Sequence, residues 1–194
     1  MITTFESYRK ESYENKKIII VDIQPSYRIH MNMDMTDFTY WLNHHDYLNI
    51  LYLYNGPEFG YEDENEIKEW LYDYGLDDTR NIKFFEKNYG FFRDMMDCGA
   101  TDQEIIKLGK YMIKNNIHGT YEIKEKVPDV RDKWLNSNNY GIYIPDLQDI
   151  LLNFLDKGDK PLLIGGGQHE CFKEVLLLLQ MNDIKWDEES QFIW

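Results

Sequence analysis

Two rhythms of apolar and polar residues alternate along this chain. Residues 17–22 (KIIIVD) form a continuous β-branched run that closes on an acid, the pattern of a strand buried on both faces. Residues 48–54 (LNILYLY) repeat that pattern and stop at Asn55-Gly56-Pro57, a turn signal. Shorter runs at 82–85 and 161–164 predict two further strands, and 191–194 predict a final edge strand. Between them the spacing becomes helical. Residues 36–44 predict a helix capped by Thr36, after a loop over 24–35 in which Pro25 bars an immediate helix. Residues 63–74 set Ile67, Trp70, Leu71 and Tyr74 on one face, with Gly75 as the terminating residue. Residues 89–97, 102–115, 145–155 and 170–180 predict four more helices; Thr101 and Glu104 supply a capping box for the second of them.

Strands alternating with helices imply βαβ units. The expected fold is α/β: a three-layer α/β/α sandwich with a mainly parallel, Rossmann-like sheet, in one domain spanning 1–194. Residues 1–15 read as a polar leader. Residues 88–145 read as a mostly helical insertion or lid, in which 117–143 are irregular and suit an excursion over the sheet. Ligands of such folds collect at the carboxyl ends of the strands. Here those ends carry Asp22-Ile23-Gln24, Asn55-Gly56-Pro57-Glu58 and the stretch from Gly165 to Cys171.

Composition narrows the function classes. The chain has 194 residues and a net charge of −14, which argues against broad nucleic-acid contact and against anionic membranes, since both need clustered Lys and Arg. No apolar run is long enough to span a bilayer and the first residues lack a signal core, so a cytoplasmic protein is expected. Two cysteines, Cys98 and Cys171, do not make a disulfide framework. Ala100 is the only alanine, while Lys, Asn, Ile and Tyr abound. Those residues have AT-rich codons and point to an AT-rich genome, viral, phage or low-GC bacterial; a viral protein would work in the host cytoplasm.

The densest chemistry lies in PLLIGGGQHECFKEV, residues 161–175. Gly165, Gly166 and Gly167 allow positive φ and close approach of a small-molecule or anionic ligand, and the helix start that follows favours an anion. Cys171 at that start is a candidate nucleophile whose thiol the helix dipole would acidify. His169 offers a base or an anion donor, and Glu170 a further ligand group. Asp22, ending a strand, can act as a base, orient a nucleophile or bind a metal. Gln24 and Asn55 join the candidate ligand set from the neighbouring strand ends. Lys87 and Arg93 are cations able to hold an oxyanion or a substrate carboxylate. Asp94 and Asp97 share a helix face and could, with Asp22, hold Mg²⁺ or Mn²⁺. Each of these also has a structural reading: a buried filler cysteine, a turn-capping Asp, solvated charges on a very acidic surface. No His or Cys spacing suits structural zinc.

KIIIVDIQPSY resembles the first strand of the isochorismatase-like cysteine hydrolases, where an aliphatic strand ends in Asp followed closely by Gln. LLIGGGQHECFKEVLLLLQMNDIKW resembles that family's nucleophile segment, and IPDLQDILLNFLDKGDKPLLIGG keeps the preceding helix-then-strand order. The resemblance covers about a third of the chain. It implies a three-layer α/β fold that hydrolyses amides or vinyl ethers with no cofactor, Cys171 as nucleophile, Asp22 as its base and Lys87 as third member. Two features depart from the family: Lys87 precedes a long helical insertion, and Gln168-His169-Glu170 stand where small residues are usual. PLLIGGGQHE is also similar to a strand end of ureohydrolases, but their Asp-x-His-x-Asp metal motif is absent.

Three functions compete at this level. The first is a small-molecule hydrolase using Cys171. The second is a PIN-like, metal-dependent nuclease or phosphohydrolase, with Asp22, Glu58, Asp94, Asp97 and Glu170 around Mg²⁺ or Mn²⁺. The third is a non-catalytic acidic viral or phage interaction protein. Self-association into a homo-oligomer is left open.

Overall fold

The computed structural model describes residues 16–44, 49–77, 81–87, 92–117, 123, 125–127 and 147–194. Five strands form one sheet: β1 (Lys17–Val21), β2 (Asn49–Tyr54), β3 (Ile82–Glu86), β4 (Leu162–Gly165) and β5 (Asp187–Glu188), in the order β3-β2-β1-β4-β5. Every pairing is parallel. The helices are α1 (Met35–Asn43), α2 (Glu64–Asp73), α3 (Arg93–Asp97), α4 (Asp102–Lys114), α5 (Leu147–Phe154) and α6 (Cys171–Met181). This is a Rossmann-like α/β fold.

The alternation of side chains along each strand sorts the core into two slabs. Ile18, Ile20, Ile50, Tyr52, Leu162 and Ile164 point to one face and pack with Phe38 and Leu42 of α1 and Ile67 and Leu71 of α2. Ile19, Val21, Leu51, Leu53 and Leu163 point to the other and pack with Met95, Ile105, Leu108, Leu151 and the apolar length of α6. A strand covered on both faces has no polar side, which is why β1 and β4 read as unbroken aliphatic runs.

The chain winds outward from β1 through β2 to β3, then crosses back to place β4 on the other side of β1. A topological switch point therefore lies between β1 and β4, which pair in register from Ile18↔Leu162 to Val21↔Gly165. Asp22 and the triple-glycine bend leave the sheet at that crevice.

Two local expectations need correction. Asp34, not Thr36, caps α1, its carboxylate accepting from the N–H groups of Thr36 and Asp37; Asp satisfies two orphan donors where Thr36 would satisfy one. The final edge strand is β5, and residues 190–192 form a short 3₁₀ turn instead. Beyond that turn Trp194 bonds through its backbone to Gly166 and Gln168, so its partner is the glycine bend and not the sheet edge. The expected leader over 1–15 lies outside the described residues, as do residues 117–143 apart from 117, 123 and 125–127. No helix among the described residues is long and apolar enough to cross a membrane.

Gly165 and Gly166 both adopt positive φ, 84° and 71°. A Cβ on Gly165 would stand 2.2 Å from the Val21 carbonyl oxygen, and one on Gly166 2.9 Å from the Phe172 nitrogen. These two glycines let β4 turn away hard against the end of β1 and bring α6 close. Gly165→Ala is expected to cost about 2 kcal/mol or more, from left-handed backbone plus a backbone clash that no side-chain rotation relieves. The midpoint of urea unfolding, compared with wild type, measures it.

Candidate active site

Three neighbouring strands deliver three polar residues to one level above the sheet. Asp22 follows β1, and its N–H still donates to Leu53 O at 2.9 Å, although its φ of 52° is left-handed. For a non-glycine residue that conformation costs on the order of 1 kcal/mol, the kind of strain that collects at functional sites. Asn55 follows β2. Lys87 follows β3, its N–H donating to Tyr54 O at 2.9 Å. All three side chains are sealed from solvent.

The Lys87 ammonium is the hub. Its Nζ lies 2.9 Å from Asp22 Oδ2 and donates to Asn55 Oδ1 at 2.9 Å. Asn55 is oriented in turn: its Nδ2 donates to the Tyr27 hydroxyl at 2.8 Å, and its backbone N–H donates to Gln24 Oε1 at 2.9 Å. Gln24 Nε2 returns a bond to Asn55 O at 3.1 Å and also reaches Glu62. Gln24 and Asn55 were expected to touch ligand. Both are buried; Asn55 holds Lys87 and Gln24 holds Asn55.

Cys171 enters from the other side of the crevice as the first residue of α6. Asp22 and Cys171 line the same cavity, and the charges of Asp22 and Lys87 both act on the thiol. Asp22, Lys87 and Cys171 thus converge. A cavity of about 430 Å³ opens over Asp22 and Cys171, walled by Tyr27, Trp194, His30 and the bend from Gly167 to Glu170. Gly167 and the exposed His169 and Glu170 line it, whereas Gly165 and Gly166 have their reason within the chain.

The electrostatics correct one expectation. A helix start was expected to acidify Cys171, but burial pushes the thiol up, with the Asp22 and Glu174 carboxylates adding to it and Lys87 opposing. Desolvation and two nearby anions outweigh a dipole effect that is modest by comparison. At rest the thiol keeps its proton and Asp22 is there to receive it. For Lys87, burial alone would lower the pKa. The neighbouring acidic groups, Asp22 first among them, more than offset that and hold it above the usual lysine value.

Glu174 was not among the expected site residues. It is 1% exposed, and Arg93 Nε lies 3.6 Å from its Oε1. Burial pushes its carboxyl up to about 7, with Lys87 and Arg93 acting against the rise. The sign follows from proton counting. Between the ordinary value and about 7 the folded chain holds a proton that the unfolded chain has lost, so stability falls as pH rises through that window. Wild type is expected to lose on the order of 1 kcal/mol per pH unit from pH 5 to 7 through this group, and Glu174→Gln to flatten the slope. Urea unfolding across that range checks it.

Arg93 faces the start of α6, not the open cavity. Of the carboxylates in the metal reading, Asp22 faces the Lys87 ammonium, while Glu58 and Asp97 lie exposed on separate elements. Glu170 is exposed at the cavity rim, and the side chain of Asp94 lies outside the described residues. Among the described residues, no three His, Cys, Asp or Glu side chains gather closely enough to hold a metal ion. Tyr27, His30 and Trp194 also went unforeseen at the cavity; only the position of the first two, just after a strand-end acid, hinted at it.

Comparison of the chain with protein-family models, curated proteins and solved structures finds no match.

Proposed function

We propose that this protein is a cysteine hydrolase acting on a small amide-like substrate, of the isochorismatase-like type. The observation that carries the reading is the meeting of Asp22, Lys87 and Cys171 at the switch point of a parallel sheet, beneath an open cavity. Each group has a chemical task there. The thiol passes its proton to Asp22 as sulfur attacks the carbonyl carbon, and Lys87 offsets the charge that moves. The C–N bond breaks, and the leaving amine takes the proton from Asp22. Water, deprotonated by the same carboxylate, then releases the acid from the thioester and the thiol is restored. Cys171 N–H, at the positive end of α6, suits the developing oxyanion.

The metal-dependent alternative requires carboxylates to face one another, and a buried ammonium stands beside Asp22 instead. The test is a panel of small primary amides, assayed for hydrolysis with and without a chelator. Rapid-quench intact mass would follow the enzyme. A transient acyl adduct that maps to Cys171, unaffected by chelator, is expected; turnover with no adduct, or turnover lost to the chelator, would reject the reading.

A further inference from the structure

The Arg93 guanidinium makes three separate approaches to the start of α6. Its Nη2 donates toward Cys171 Sγ at 3.8 Å, its Nη1 lies 3.7 Å from Glu170 Oε2, and its Nε lies 3.6 Å from Glu174 Oε1. The three partners are the cap, first and fourth positions of one helix, so they share one side of its opening turn. The two carboxylates flank the sulfur and fix the fork between them. Only a planar group with several donors can meet all three at once.

Charge counting shows why a second cation belongs there. Above about pH 7, where Glu174 has lost its proton, Asp22 and Glu174 are the anions facing the buried centre and Lys87 and Arg93 the cations; Asp97 acts on Glu174 from α3 and Glu170 sits at the rim. Once Asp22 has taken the thiol proton, the anions are the Cys171 sulfur and Glu174. With Lys87 alone the buried centre would carry one excess negative charge in either state. With Arg93 it is balanced in both.

We propose that Arg93, held by Glu170 and Glu174, is a second cation of the cysteine centre that stabilises the Cys171 thiolate alongside Lys87. This rests on the cysteine-hydrolase reading and assigns Glu170 and Glu174 as positioning residues. It gives Arg93 a task at the nucleophile and none at the substrate's far end.

The test uses the full chain carrying Cys98→Ser and follows alkylation of Cys171 by iodoacetamide against pH, by intact mass. Arg93→Met is expected to slow the reaction about tenfold at pH 8 and to move its pH midpoint upward by about one unit, since one unit is a tenfold change in thiolate. Arg93→Lys should recover part of the rate. Glu170→Gln and Glu174→Gln should each slow it, although removing a negative charge would by itself speed it. If Arg93→Met fails to fold, Arg93→Gln keeps the polar contacts without the charge and carries the same expectation. An unchanged profile in the Arg93 variants, or faster alkylation in both Glu variants, overturns the proposal. The hydrolase reading fails separately, by Cys171 staying unmodified in the parent chain.

Discussion

Asp22→Asn is expected to reduce amide hydrolysis by roughly 10²- to 10⁴-fold, the range associated with a positioned general base, while making the Cys171 thiol easier to ionise. The two effects oppose each other for a physical reason. The Asp22 carboxylate raises the thiol's pKa by its charge, so removing that charge lets the thiolate form at lower pH. Yet an amide cannot accept the proton, nor hand it to the leaving amine. A thiol that is merely activated by neighbours would react faster in this variant; one that needs Asp22 as proton carrier stops turning over. Steady-state hydrolysis, set beside an ultraviolet thiolate titration on a Cys98→Ser background, separates the two. Turnover kept near wild type, or a thiol midpoint that moves upward, would contradict the assigned role.

Lys87→Met is expected to be the most destabilising of these changes, costing about 3–5 kcal/mol. Methionine fills the stem of the lysine with little loss of packing. What disappears is the ammonium beside Asp22, within the charge reach of Glu174 and bonded to Asn55. The buried Asp22 carboxylate is then stranded, while Glu174 keeps Arg93, and an unpaired buried charge costs far more than the net worth of the pair that held it. The deficit should shrink toward pH 5, because protonation of the stranded group removes the charge that nothing now offsets. Chemical denaturation at several pH values reads both the size and the direction. A cost under about 1 kcal/mol, flat with pH, would mean that Lys87 is solvated and not the hub.

Much of this geometry could be read from residue patterns, because the fold's own physics writes them. Strands covered on both faces must be apolar throughout, so KIIIV and LLIG announce themselves, and an acid directly after such a run stands where parallel sheets hold ligands. The positive φ of Gly165 was expected from its run of glycines, but for close approach of a ligand, whereas its bend has to pass the Val21 carbonyl. Lys87 was singled out as a cation after the third strand, and only the parallel pairing of β2 with β3 explains how it reaches Asp22.

What stayed hidden depended on tertiary packing. Glu174 looks like a solvated charge until α6 is seen to be buried along most of its length; a lone acid within FKEVLLLL was the available signal. Trp194 ends a β-like FIW run, yet its partners are on the glycine bend. Gln24 and Asn55 were correctly placed at strand ends, but which way an amide turns is decided by its bonding partners, here each other and Lys87. The thiol pKa was misjudged because a helix dipole is visible in sequence whereas desolvation is not.

Native-state reactivity of the two cysteines is the most direct test. Cys98 is exposed and Cys171 buried, so accessibility alone predicts that Cys98 reacts first. Under the proposed mechanism Asp22 takes the thiol proton and Lys87 offsets the charge that moves, so the Cys171 sulfur should displace iodide from iodoacetamide faster than Cys98 does and reverse that order. The expected result at pH 8 is preferential alkylation of Cys171 in the folded wild type, lost in Lys87→Met, which removes the cation that favours the thiolate. Alkylation of Cys98 alone, with Cys171 modified only after unfolding in guanidinium, would contradict it.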